Sequence, residues 1–298
     1  MIVRDPVVAG QFYPANPGQC RAELIELLKV VSSERESDAR AVAAGEHLVG
    51  GLVPHAGWVC SGAVAGSVFA VLAASRSPSV VILFGSVHRH FGREAAMFSA
   101  GRWETPLGPV EIDTRLAERI LGHTNLIVDD AYAHEDEHSI EVQMPFVKYL
   151  FPEARAVPIM VPPVKAAGEV GQAVARTLTA YKYDALVVGT TDLTHYGPSY
   201  GFAPKGVGAS GSAWAKTEND RRFIDLVCAM RAKELVPEAE DRKNACGSGA
   251  AAATVAAANA LGAREGVLLR HTTSSEVLAG RVPGEHTDSV GYAAVVFT

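Results

Sequence analysis

Three short stretches of this 298-residue chain, Val53-Pro54-His55-Ala56-Gly57, Gly85-Ser86-Val87-His88 and Asn244-Ala245-Cys246-Gly247, each set one metal-competent side chain beside glycine or proline. Together they suggest a mononuclear metal site. Neutral imidazole suits iron, copper, zinc or nickel, and a thiolate pulls the preference toward Cu(I), zinc or sulfur-bound iron. The first two stretches follow apolar runs, residues 48–53 and 80–84, that read as buried strands. A third run, residues 185–188, leads into Gly189-Thr190-Thr191-Asp192-Leu193-Thr194-His195. Ligand sites of open α/β sheets lie at the carboxyl ends of the strands. If these three strands run parallel, His55, His88, Asp192 and His195 reach one edge of a single sheet.

The rest of the chain alternates helical and extended signals, the pattern of a sheet with helices on its faces. Residues 20–31 carry Leu24, Leu27, Leu28 and Val31 at helical spacing. Residues 32–46 are polar and read as a surface connection. Residues 62–74 are small and apolar all round, which suits a buried helix. A hairpin is expected over 103–112, a strand over 154–161, helices over 166–181 and 212–232, a buried Ala-rich helix over 249–261, and strands over 266–270 and 290–297. Residues 197–212 hold five glycines, two prolines and three serines and read as a loop beside Asp192 and His195. No composition shift marks a linker, so residues 1–298 are expected to form a single domain.

Composition excludes several function classes. The net charge is −6 and no basic block occurs, which argues against a nucleic-acid partner. The start lacks a signal-peptide core, and no run reaches the roughly 18 apolar residues of a membrane span. The expected setting is cytoplasmic, away from a membrane. Four cysteines, Cys20, Cys60, Cys228 and Cys246, are too few for a disulfide scaffold and are expected to be reduced.

Each candidate has a plainer reading. His55 could fix a strand-to-helix turn by hydrogen bonding, and Cys246 could be an inert buried thiol. The long helical run after Cys246 would instead lower its pKa and favour the thiolate. His88 competes with His90, which alternation in an extended segment would point the same way. The run His134-Glu135-Asp136-Glu137-His138 fits the literal His-Glu-x-x-His pattern of zinc proteases, but that chemistry requires a helix. Here Ser139 reads as an N-cap, Pro145 interrupts the following segment, and no apolar face exists.

The motifs also carry a family resemblance. Residues 4–14, Pro54-His55-Ala56-Gly57-Trp58, the Gly85-to-His88 turn, Trp103-Glu104-Thr105-Pro106-Leu107-Gly108, Asp136-Glu137-His138-Ser139-Ile140-Glu141, Thr191-Asp192-Leu193-Thr194-His195-Tyr196, Cys246-Gly247 and Ser289-Val290-Gly291-Tyr292 resemble, in order, the motifs of the Memo-like family. Val87 and Arg89 depart from the smaller or polar residues usual beside the second histidine.

The resemblance implies an α/β fold similar to the class III extradiol dioxygenases, with a central mostly parallel or mixed sheet flanked by helices. It implies His55, His88 and Cys246 as ligands of one iron or copper ion, with zinc as a further option. Asp192 and His195 become catalytic groups, a histidine of near-neutral pKa being suited to acid–base work. Glu137 and His138 become pocket residues. The leading function is a redox metalloprotein, a non-heme oxygenase-like enzyme acting on a small organic substrate. The competing function is a non-catalytic binding or metal-handling protein, since animal members are linked to cell motility and phosphotyrosine peptides. Bacterial members, called AmmeMemoRadiSam system protein B, co-occur with radical SAM and AMMECR-type proteins, which are the implied pathway partners.

Overall fold

Apolar runs with side chains buried on both faces form parallel strands sandwiched between helices, and Val80–Gly85 and Ala185–Thr190 are such runs. The computed structural model describes residues 2–34, 48–89, 92–279 and 287–298. Its strands are β1 (Val3–Arg4), β2 (Gly50–Val53), β3 (Val80–Gly85), β4 (Ala95–Met97), β5 (Arg102–Trp103), β6 (Val110–Glu111), β7 (Ile127–Asp129), β8 (Arg155–Met160), β9 (Ala185–Thr190), β10 (His195–Tyr196), β11 (Gly266–Thr273) and β12 (Ser289–Phe297). Nine of them make one sheet in the order β10-β12-β2-β9-β3-β8-β4-β7, with β11 beside β12. The central four, β2, β9, β3 and β8, are parallel; β12 and β4 flank them antiparallel. The sheet is therefore mixed, and the condition for gathering the candidate residues at one edge is met.

Period-two alternation divides each central strand between two apolar layers. Val80, Ile82 and Phe84 join Val187, Val157 and Ile159 on one face, whereas Val81 and Leu83 join Leu186, Val188 and Met160 on the other. Helices Ala167–Ala180 and Ser248–Ala260 cover the first face. Their small residues permit very close approach: a Cβ on Gly171 would sit 1.8 Å from the Ala253 carbonyl oxygen, and one on Gly189 would sit 1.9 Å from Thr254 Oγ1. Helices Pro17–Glu34 and Trp58–Ser75 cover the second face. Trp58–Ser75 does reach the length and apolarity of a membrane span, contrary to the sequence reading, but most of it is buried within the protein. A small sheet, β1-β5-β6, contains the expected hairpin.

Four expectations need correction. Residues 212–232 are not one helix: Ala209–Trp214 runs into a π-helical turn, Ala215–Asp220, and then Arg221–Cys228, after which Met230 turns with φ +58°. Helix formation thus begins inside the segment read as a loop, which keeps a short 3₁₀ turn, Pro198–Tyr200, at its start. A further helix, Ala232–Arg242, has no counterpart in that reading, because Pro237 inside it erases the usual helical signal. Pro145 does not interrupt a helix; it occupies the first turn of Met144–Leu150, where a missing N–H costs nothing. The proposed surface connection falls mostly on residues 35–47, and His90 with it, outside the described residues.

Candidate metal centre

Register fixes where the functional side chains leave the sheet. Val53 pairs with Thr190 and Phe84 with Gly189, so β2, β3 and β9 end at the same level. The next residues carry His55, His88 and Asp192, and β10 opens with His195. Cys246 reaches the same spot from the N-terminal end of Ser248–Ala260. Gly247 makes that approach possible, since a Cβ there would lie 2.2 Å from Ser86 Oγ and 2.3 Å from the Thr190 carbonyl oxygen. The Gly247 amide donates to Thr191 Oγ1 at 2.9 Å and the Cys246 amide to the Asp192 carbonyl at 3.2 Å, tying the two loops together.

One donor atom from each of His55, His88 and Cys246 lies within 4.8 Å of the other two, and two overlapping groups, His88–Glu137–His138 and Asp192–His195–Cys246, extend the cluster. Cys246 Sγ is 3.2 Å from His55 Nε2. The rings of His88 and His138 stack at 4.7 Å, and His55 meets both edge-on. Glu137 is 3% exposed and engages His88 Nδ1 at 3.0 Å while accepting the His88 and Ser139 amides. That contact commits Nδ1 to the carboxylate and leaves Nε2 free to coordinate, the usual outer-shell arrangement of a metal-binding histidine. The donor set therefore fits a single transition metal.

Electrostatics follow from burial. Desolvation, with help from His88 and His138, holds His55 well below the usual imidazole range and therefore neutral. Burial would push Glu137 up, but the hydrogen bond and charge of His88 together with two amides outweigh it and hold the carboxyl well below its ordinary range. Burial likewise opposes charge on His88, and Glu137 overcomes it, so His88 is raised. Asp192 is buried and pushed up to about 7, although the His55 amide donates to its Oδ1 at 2.8 Å.

Cys246 corrects the expectation of a ready thiolate. Desolvation first, then the Asp192 charge, push its thiol far up, outweighing the hydrogen bonds with the Asp192 backbone and Thr191 that pull the other way. Binding a metal must then displace a proton from sulfur.

The remaining residues are sorted by the same geometry. Asp192 spends its carboxylate on the backbone of the His55 turn, and no hydrogen bond joins it to His195 among the described residues. His195 Nε2 is buried without a hydrogen-bond partner among the described residues, and its ring lies 5.0 Å from that of Tyr200. Burial, then His88, lowers its pKa. Ser139 is no N-cap: its hydroxyl accepts the Ser86 amide at 3.0 Å and braces the His88 turn. Phe12, edge-on to His138 at 5.0 Å, and Gln143, donating to the Pro54 carbonyl at 2.9 Å, were not legible beforehand, because a lone aromatic or amide has no spacing signature.

His134 settles the apparent zinc-protease pattern. It ends a 3₁₀ turn, Tyr132–His134, not a helix, and its Nε2 donates to the Ala96 carbonyl at 3.1 Å inside a cage with Phe98 and Trp103. Burial lowers its pKa from 6.5 to about 4. Between those values the unfolded chain binds the extra proton, so stability should be complete above pH ~6.5 and fall on acidification toward pH ~4, by up to about 3 kcal/mol. Urea titrations across that range should give this slope for the wild type and a shallower one for His134→Gln; equal slopes would contradict the burial argument.

Comparison with known proteins bears on the whole arrangement. A family model described as Memo-like protein matches residues 4–296. The chain belongs to the Memo-like family. A MEMO1 family protein of Methanopyrus kandleri is 36% identical, with 99% of this chain and 98% of that protein covered. A MEMO1 family protein of Pyrobaculum arsenaticum is 35% identical, with 100% and 99% covered. An uncharacterized protein of Escherichia coli K12, solved by crystallography, shares the fold with a TM-score of 0.52 at 11% identity, covering 85% of this Memo-like chain and 100% of its own.

Proposed function

We propose that this Memo-like protein is a redox metalloprotein that holds one iron or copper ion through His55, His88 and Cys246 and carries out oxygenase-type chemistry on a small organic substrate. The observation that carries the reading is the meeting of two imidazoles and a thiol within 4.8 Å, with His88 oriented by a buried carboxylate. When bound, such a metal supplies one-electron and oxygen chemistry, and a single sulfur donor distinguishes it from an all-hard His/carboxylate site.

The chain's own residues then have separable tasks. Glu137 fixes the tautomer of His88. His195, neutral and with Nε2 unsatisfied among the described residues, accepts a proton from substrate, and Asp192 holds the His55 turn. Phe12 against His138 and Tyr200 against His195 offer apolar walls to an organic ligand.

The test is elemental analysis of protein purified without added metal, followed by oxygen uptake of the iron- or copper-loaded protein with candidate phenols. His195→Ala should retain metal and lose roughly 10²- to 10⁴-fold in oxygen-dependent turnover. Metal loss in that variant would put His195 among the ligands. Full occupancy without oxygen uptake would favour a metal-handling role.

A further inference from the structure

The loops bearing Asp192, His195 and Cys246 are gripped from behind by one feature, the end of the π-helical turn Ala215–Asp220. Asn219 and Asp220 are each 1% exposed. Asp220 Oδ1 accepts the Thr194 amide at 2.9 Å, and its Oδ2 pairs with His271 Nε2 of β11 at 3.0 Å. The Asn219 side chain donates to Thr194 Oγ1 and to the Arg242 carbonyl, both at 3.1 Å, while the Asn219 backbone carbonyl accepts Asn244 Nδ2 at 2.9 Å. Thr194 immediately precedes His195, and Asn244 lies two residues before Cys246.

β12 is shaped around this arrangement. A Cβ on Gly291 would lie 2.1 Å from Asp220 Oδ2, so the strand passes the carboxylate only because it has glycine there. Gly291 also exchanges backbone bonds with the loop, donating to the Thr194 carbonyl at 3.1 Å and accepting the Leu193 amide at 2.8 Å. Thr194 is thus held at its amide, its carbonyl and its hydroxyl. A buried carboxylate is costly unless hydrogen-bonded, and π-helical turns are uncommon and cluster at functional sites. Holding an ordinary connection would need neither.

We infer that Asn219 and Asp220, braced by His271, are positioning residues that set the loop of Asp192 and His195 against the loop of Cys246. The inference rests on the metal-centre reading above and adds residues to it that touch neither metal nor substrate.

The whole chain, loaded with Co(II), provides the test, because thiolate-to-cobalt absorption reports how Cys246 is coordinated. Wild type, Asp220→Ala, Asp220→Asn and Asn219→Ala are compared for that band, for Co(II) affinity, and for amide hydrogen exchange of residues 191–195 and 244–247 in the metal-free chain. Asp220→Ala and Asn219→Ala should speed exchange in both segments, alter the band and weaken affinity roughly 10- to 100-fold, the usual effect of an outer-shell partner. Asp220→Asn keeps an acceptor for the Thr194 amide and should restore wild-type behaviour. If Asp220→Ala does not fold, Asn219→Ala carries the comparison. Faster exchange with an unchanged band and affinity overturns the positioning role, and unchanged exchange overturns the clamp itself. A wild type without a thiolate band would overturn the metal-centre reading instead, and the exchange arm would still decide the clamp.

Discussion

Cys246→Ala, and equally His55→Ala, should bind metal far more weakly than wild type while folding normally. Loss of an outer-shell partner costs roughly 10- to 100-fold in affinity, and loss of a direct donor should exceed that. The fold should survive because both residues sit beyond the strand ends, outside the two apolar layers. Cys246→Ala also removes a half-buried thiol that must give up a proton before it can bind, so its residual affinity should depend less on pH than that of wild type. Elemental analysis after identical loading, together with thermal unfolding of the metal-free forms, checks both halves. Equal metal content in wild type and Cys246→Ala would remove sulfur from the site.

Stability should suffer most at the other end of the pocket, where Arg4 and Glu141 form an ion pair at 2.8 Å with side chains 4% and 1% exposed. Truncating one member of such a pair strands a buried charge and costs about 3–5 kcal/mol. Here the bonding around both groups is saturated. Glu141 also accepts the Val7 and Val8 amides and the Tyr13 hydroxyl, and Arg4 donates to the His134 and Glu137 carbonyls and lies over the Trp103 ring at 4.1 Å. Arg4→Ala and Glu141→Ala should each lower the urea midpoint by an amount worth several kcal/mol at unchanged m. Replacing both with apolar residues, often benign for an isolated pair, should remain costly because those five further bonds are lost with it. A change below about 1 kcal/mol in either single variant would mean that the N-terminal segment does not lock the Glu137 loop.

Local sequence determined a great deal. The apolar runs ending at Val53, Gly85 and Thr190 specify strands buried on both faces, and the glycines and prolines after them specify turns, so the positions of His55, His88 and Asp192 at strand ends follow from local pattern. The Ala-rich character of Ser248–Ala260 likewise announces a helix packed too closely for larger side chains.

Local sequence was weaker wherever a residue's role depends on a partner distant along the chain. It suggested that a helix end would ionise Cys246, whereas burial beside Asp192, 54 residues away, keeps the thiol protonated. Asp192 turned toward the His55 backbone, 137 residues away. Ser139 bonded across to Ser86 instead of capping a helix. Hydrophobic periodicity is a property of neighbours in the chain, but desolvation and hydrogen-bond choice are properties of neighbours in space. Those were decided only when β2, β3, β9 and the Cys246 loop closed on one another.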